Sequence, residues 1–77
     1  MDVNCIDEDR RQFLLQTFRL FRARHQHLSE GYSNRDALEN KLEFGGQLDK
    51  LDMYVLKVAF AKACPDYYQM VLHLFGE

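Results

Sequence analysis

The sequence predicts an all-α protein, a compact bundle of three to four helices formed by a single domain over residues 1–77. Apolar residues recur at helical spacing along most of the chain. Glycine and proline are scarce, with four and one respectively, which disfavours a turn-rich β fold and a disordered chain. The apolar fraction of 47% is enough for one core. A chain of this length buries only about 60–65% of its unfolded surface, so we expect modest stability.

The first helix is predicted at about residues 7–30, with Asn4 or Asp7 as its N-cap. Gly31 offers a stop in the left-handed conformation. One apolar stripe runs along this helix at steps of four and three residues, and it consists of Leu14, Phe18, Phe21, His25 and Leu28. The stripe predicts the face that packs on the core.

The second helix is predicted at about residues 34–44. Ser33 stands at the N-cap position with Asp36 three residues later, which is related to a capping box. Leu38 and Leu42 lie on one side, and the Gly45-Gly46 pair ends the helix.

The third helix is predicted at about residues 47–63 and is apolar around most of its circumference, which is typical of a central core helix. Its dominant face is predicted to contain Leu48, Leu51, Val55, Val58 and Ala59, with Leu56 and Phe60 in a second strip. Asp49 and Asp52 are neighbours on this helix and are interpreted as part of a solvated face.

Pro65 fits the first position of a fourth helix, predicted at about residues 65–75. Its polar stripe is narrow, so the helix either is wedged into the core or meets a partner. The second alternative predicts self-association, with a two-fold dimer as the commonest form.

Charge is unevenly distributed: residues 1–9 carry −4, residues 10–29 carry +5 and residues 30–77 carry −3. All five positive charges of the middle block are arginine, which binds carboxylate or phosphate with two hydrogen bonds. Arg19, Arg22 and Arg24 are therefore candidate partner-binding residues, together with Tyr67 and Tyr68, since Arg and Tyr are enriched at binding hot spots. The alternative interpretation is a solvated face whose charge complements the helix dipole.

These features predict a small non-catalytic protein-binding module that acts stoichiometrically as a regulator or inhibitor of a larger protein with an acidic surface. Small acidic helical proteins among phage and mobile-element effectors have this size and character. A nucleic-acid-binding protein that uses the Arg-rich first helix is the alternative, although a pI of 5.9 lacks the usual basic footprint.

The spacing of Arg19 with His25, and of Arg22 with His27, resembles the Arg-x(4–6)-His motif of the HEPN ribonucleases. The resemblance implies that the arginine positions a phosphate and that the histidine serves in acid–base catalysis. HEPN domains are longer, and they pair this motif across a dimer late in the chain. A HEPN-like ribonuclease is thus a second alternative, and the main expectation is that the chain is not an enzyme.

The sequence contains no Gly-rich phosphate loop and no zinc-like spacing, so we expect neither a cofactor nor a bound metal. Cys5 and Cys64 are too few for a disulfide framework and are expected to be reduced, with a Cys5–Cys64 bridge as the alternative. An acidic start and the lack of a long apolar run predict a cytoplasmic protein that does not span a membrane.

Overall fold

The computed structural model describes residues 1–76, and this part of the chain is helical and contains no β-strand. The predicted all-α class is therefore confirmed. The α-helices are α1 (Glu8–Arg24), α2 (Gln26–Glu30), α3 (Arg35–Phe44), α4 (Lys50–Ala63) and α5 (Tyr68–Leu74). Short 3₁₀ turns lie at Val3–Cys5 and Pro65–Tyr67.

Helix α1 begins where the sequence predicts, because the Asp7 side chain accepts a hydrogen bond of 2.8 Å from the Arg10 backbone N–H. It ends earlier than expected, since His25 leaves the helical conformation with φ −123° and ψ 54°. The prediction of one continuous helix over 7–30 is thus wrong. Such a helix would be about 36 Å long, and the longest dimension of the molecule is 30 Å.

The break at His25 also changes the end of the predicted apolar stripe. The His25 ring stacks on Phe21, with ring centroids 5.8 Å apart. In α2 it is Ser29 that is buried, while Leu28 is 45% exposed, so Leu28 is not part of the core as predicted.

Helix α3 lies within one residue of its predicted span, but the predicted cap is wrong. Asn34 occupies the N-cap position and makes no capping hydrogen bond with its side chain. Its amide group instead donates a hydrogen bond of 2.7 Å to Asp52 of α4. Asn34 therefore ties the start of α3 to α4.

Helix α4 begins at Lys50 rather than at residue 47, because a capping box forms there. The Asp52 N–H donates to the Asp49 carboxylate at 2.8 Å, and the Asp49 N–H donates to the Asp52 carboxylate at 3.1 Å. Residues 46–48 are left free to pair with the N-terminal segment.

That pairing is short and antiparallel. The Val3 N–H donates to the Gly46 carbonyl at 2.9 Å, and the Leu48 N–H donates to the Met1 carbonyl at 2.6 Å. The Met1 amino group donates to the Leu48 carbonyl at 2.9 Å. Gly45 makes the preceding turn with φ 97°, a conformation that favours glycine.

The core lies where α1 packs against α3 and α4, and α5 packs against α4 and contributes Val71 to the same core. Its buried apolar side chains are Val3, Ile6, Leu14, Leu15, Phe18, Phe21, Leu38, Leu42, Leu48, Val55, Leu56, Ala59, Phe60 and Val71. In α4 the buried arc includes the predicted second strip, Leu56 and Phe60, while Leu51 is 45% exposed. The prediction that Leu51 packs in the core is therefore wrong.

The C-terminal part begins with the 3₁₀ turn at Pro65 and continues as α5. Within residues 68–75 the exposed side chains are Gln69 and His73. Of the two alternatives for this helix, the structure therefore fits the one in which it is wedged against the core.

Candidate protein-docking face

Arg11, Arg19 and Arg22 of α1 face α3, and the two helices run antiparallel. Arg11 lies at the end of α3, where its Nη1 atom donates to the carbonyl oxygens of Leu42 at 2.9 Å and Glu43 at 2.8 Å. These carbonyls belong to the last turn of the helix, which has no internal donors for them. Arg11 therefore caps α3 from a neighbouring helix.

Farther along the same interface, two predicted binding residues are in ion pairs. Arg19 lies 3.1 Å from Glu43 and 3.7 Å from Glu39. Arg22 lies 3.2 Å from Glu39 and 2.9 Å from Asp36. We call this set the α1–α3 charge ladder. It balances much of the positive charge that the sequence places on the first helix.

The remaining predicted binding residues lie apart from the ladder. Arg24 is exposed at the last turn of α1. Tyr67 is 49% exposed and contacts Phe13 edge-on, with ring centroids 4.7 Å apart. Tyr68 is half-buried against the core.

A different surface carries the largest regular apolar exposure, on the side of α4 that faces away from the core. Its side chains are spaced three, four and three residues apart, and we call them the α4 outer face: Leu51, Tyr54, Val58 and Ala61. Leu51 and Tyr54 are 45% and 52% exposed. Ala61 is exposed and Val58 is half-buried.

Each border of this face has its own chemistry. On one border the Tyr32 ring contacts Tyr54, with centroids 6.4 Å apart and planes at 69°. Burial raises the pKa of Tyr32, and the adjacent Tyr54 adds to the rise, so the Tyr32 hydroxyl stays neutral at physiological pH. On the other border Lys50 and Lys57 surround a depression of about 330 Å³ that Met53 and Phe75 also line.

The charges of α4 are divided between its two sides. Lys50 and Lys62 are exposed and Lys57 is half-buried, all on the outer side or its borders. The one carboxylate of the helix, Asp52, is 1% exposed on the inner side. The solvent side of α4 is therefore apolar and positively charged.

Asp52 lies in a network that the sequence did not reveal. Its carboxylate accepts hydrogen bonds from the Lys41 ammonium at 2.6 Å and from Asn34 at 2.7 Å, besides the Asp49 backbone. Burial alone would raise the pKa of Asp52, but these hydrogen bonds and the charge of Lys41 outweigh it and hold the pKa below its usual value. The interpretation of Asp52 as a solvated residue is wrong.

The other surfaces have fewer features of a functional site. A depression of about 430 Å³ lies at the start of α1, where its lining residues Asp7 and Arg10 already pair with each other at 2.7 Å. Among residues 1–76, no group of three or more His, Cys, Asp or Glu side chains is placed to hold a metal ion. The arginines of the HEPN-like spacing are in the charge ladder, and His25 stacks on Phe21.

Sequence reasoning missed the α4 outer face because it assigned Leu51 and Val58 to the core. The signal was present, since the regular spacing from Leu51 to Ala61 marks a second helical stripe besides the buried one. A helix that is apolar on both sides does not show from sequence which side is buried.

Cys5 is exposed, Cys64 is half-buried, and both are free thiols. No helix within residues 1–76 has the length and apolar character that crossing a membrane requires. Comparison with protein-family models, with curated proteins and with solved structures finds no match to this chain.

Proposed function

We propose that the protein is a non-catalytic protein-binding module that acts stoichiometrically, as a regulator or inhibitor, through the α4 outer face. The observation that supports this proposal is the regular exposure of Leu51 and Tyr54 on a helix whose opposite side forms the core. Val55 and Ala59 on the opposite side are fully buried, so the helix that carries the exposed side chains is anchored in the core. A preorganised apolar stripe loses little conformational entropy when it binds.

The chemistry of the face suits a protein partner. Tyr54 combines a large apolar ring with a hydroxyl group, and tyrosine is enriched among residues that dominate binding energy. Tyr32 supports its ring from the side. The face is small, so we expect a reversible complex rather than a permanent one.

The structure supports nucleic-acid binding by the first helix less than the sequence does. Arg10, Arg11, Arg19 and Arg22 each have a carboxylate partner at 3.9 Å or less. Phosphate contacts would have to compete with these pairs. Protein binding through α4 requires no such exchange.

The test is photo-cross-linking with the full chain. A photoreactive phenylalanine derivative at position 54 should give a cross-link to one protein in an extract of the native host. The same group at position 44 is the matched control, because Phe44 is 78% exposed and lies outside the face. The identified protein, once purified, should form a saturable one-to-one complex that Leu51→Asp abolishes.

Equal cross-linking from positions 54 and 44, or a complex that is indifferent to Leu51→Asp, would refute the proposal for this face.

A further inference from the structure

From the pattern of apolar and charged residues on α4, we infer that the partner docks as an amphipathic helix with acidic borders, packed along the α4 outer face. This inference rests on the proposed function and specifies the chemistry of the partner.

The spacing is that of a helix-packing seam. Leu51, Tyr54, Val58 and Ala61 follow the alternating steps of three and four residues that place side chains along one line in a two-helix coiled coil. The seam narrows from Leu51 and Tyr54 to Ala61. A partner helix with large apolar residues opposite Ala61 would fill the space that this small side chain leaves.

The charges at the edges of the seam select an acidic helix. Lys50 comes one residue before Leu51 on one edge, and Lys62 follows Ala61 on the other edge, and both are positions that flank such a seam. No carboxylate of α4 lies on this side, because Asp52 is buried and bound to Lys41. Glutamate or aspartate on the partner's borders would meet lysine along both edges.

The same charges disfavour a second copy of this chain as the occupant. The α4 outer face of a second copy would again present lysines and no α4 carboxylate at its edges, so it offers Lys50 and Lys62 no opposite charge. An acidic helix from another protein supplies that charge, and electrostatic complementarity of this kind favours one partner over another.

The experiment uses the full chain and two designed peptides of about 20 residues, long enough to form a helix. Both carry leucine at the seam positions, and they differ only in having glutamate or lysine at the flanking positions. By fluorescence anisotropy we expect the glutamate peptide to bind with a Kd of about 10–500 µM, at least about 10-fold more tightly than the lysine peptide. Raising the salt to roughly 0.5 M should reduce that preference.

Variants locate the site. Leu51→Asp and Tyr54→Ser should each remove binding, and Phe44→Ser should leave it unchanged. The double variant Lys50→Glu/Lys62→Glu should prefer the lysine peptide. Retention of the fold in each variant is checked by circular dichroism.

Three results would overturn the inference: equal binding of the two peptides, binding that survives Tyr54→Ser, or a dimer in sedimentation equilibrium that Leu51→Asp dissociates. If the complex with the cross-linked protein still depends on Leu51 while the glutamate peptide shows no preference, the acidic-helix inference fails and the proposed function stands. If that complex does not depend on Leu51, the proposed function fails whatever the peptides do.

Discussion

Asp52 shows how one side chain connects three parts of the molecule. Its carboxylate caps its own helix, accepts from Asn34 before α3 and pairs with Lys41 within α3. The Lys41 side chain is 30% exposed, so this end of the pair reaches solvent while the carboxylate does not. The network fixes α3 on α4 with little cost from burying the lysine.

The first prediction is that Asp52→Asn lowers the free energy of unfolding at pH 7 by about 1–3 kcal/mol, because hydrogen bonds to a buried charged group are lost. Because the pKa of Asp52 is lowered by folding, its contribution is fully present above the unfolded pKa of about 3.9 and is lost as the pH falls through the folded value. The difference between wild type and variant should therefore shrink below about pH 4. Urea melts at pH 7 and at low pH measure it.

Asp49→Asn is the matched control for this prediction. It removes the same charge three residues away, Asp49 is exposed, and asparagine is an equally good N-cap. We expect a change of less than about 0.5 kcal/mol. If the two variants were equally stable at pH 7, the network around Asp52 would contribute nothing beyond the cap.

Individual residues of this kind were the hardest to predict from sequence. The spacing of Asp49 and Asp52 is compatible both with a solvated face and with a capping box. The choice depends on Lys41, which comes from another helix and lies eleven residues before Asp52. A contact between elements has no local sequence signal.

At the scale of whole helices, the α1–α3 charge ladder sets the direction and register of the two elements. Arginines at increasing positions in α1 meet decreasing positions in α3. Arg11 binds the backbone carbonyl of Glu43. Arg19 pairs with Glu43 and Glu39, and Arg22 pairs with Glu39 and Asp36. Any shift of one helix along the other would separate several pairs at once. The ladder therefore favours one register, although each partly exposed pair is worth little by itself.

The second prediction is that Arg19→Glu destabilises the protein by about 1 kcal/mol at low salt, because the new carboxylate faces Glu39 and Glu43. Adding Glu43→Arg should restore part of the loss. Thermal melts at low and high salt measure both, and salt should reduce the difference.

Arg24→Glu is the control on the same helix, since Arg24 is exposed and outside the ladder. It should cost clearly less than Arg19→Glu. Equal effects of the two reversals would mean that net charge, and not the ladder, determines the result.

The sequence predicted some elements well. The α3 span was predictable because Gly45-Gly46 ends it and Leu38 and Leu42 define its inner side. The end of α1 was not, because the apolar period continues past His25 without a glycine or proline. The length of α1 is limited by the size of the bundle, which depends on all the helices together.

The third prediction concerns the inner and outer sides of α4, four residues apart. Val55→Asp places a charge at a fully buried position and should cost about 3–5 kcal/mol, comparable to the total stability. Leu51→Asp should change stability by less than about 1 kcal/mol, since Leu51 is half exposed and an acid is favourable in the first turn. Circular dichroism melts compare the two variants. A Val55→Asp variant that melts like wild type would contradict the burial of the Val55 side of α4.

At the scale of the whole molecule, the turn at Gly45 and Gly46 brings residues 46–48 alongside residues 1–3, where the two segments form backbone hydrogen bonds. Gly45 has φ 97°, and a Cβ atom there would lie 2.9 Å from the Asn4 side-chain oxygen. The conformation therefore requires glycine, and an added Cβ atom would in addition displace the exposed Asn4 side chain.

The fourth prediction is that Gly45→Ala lowers the free energy of unfolding by about 1–2 kcal/mol. Gly31→Ala is the control, because Gly31 has φ −71° and an added Cβ would lie 3.3 Å from the Leu28 carbonyl oxygen. It should be close to neutral. Chemical denaturation measures both, and equal losses would contradict the assigned role of Gly45.

The pairing of Val3 with Gly46 also has a consequence for the order of events during synthesis. Val3 leaves the ribosome first, and Gly46 is made 43 positions later, a delay of about 2–9 s at ordinary rates of translation. The apolar side of α1 gains its contacts with α4 later still, because Val55 and Phe60 follow Gly46 in the sequence. For that time the nascent chain exposes the part of the apolar side of α1 that α4 covers in the folded protein, so the core can be completed only after α4 has been made.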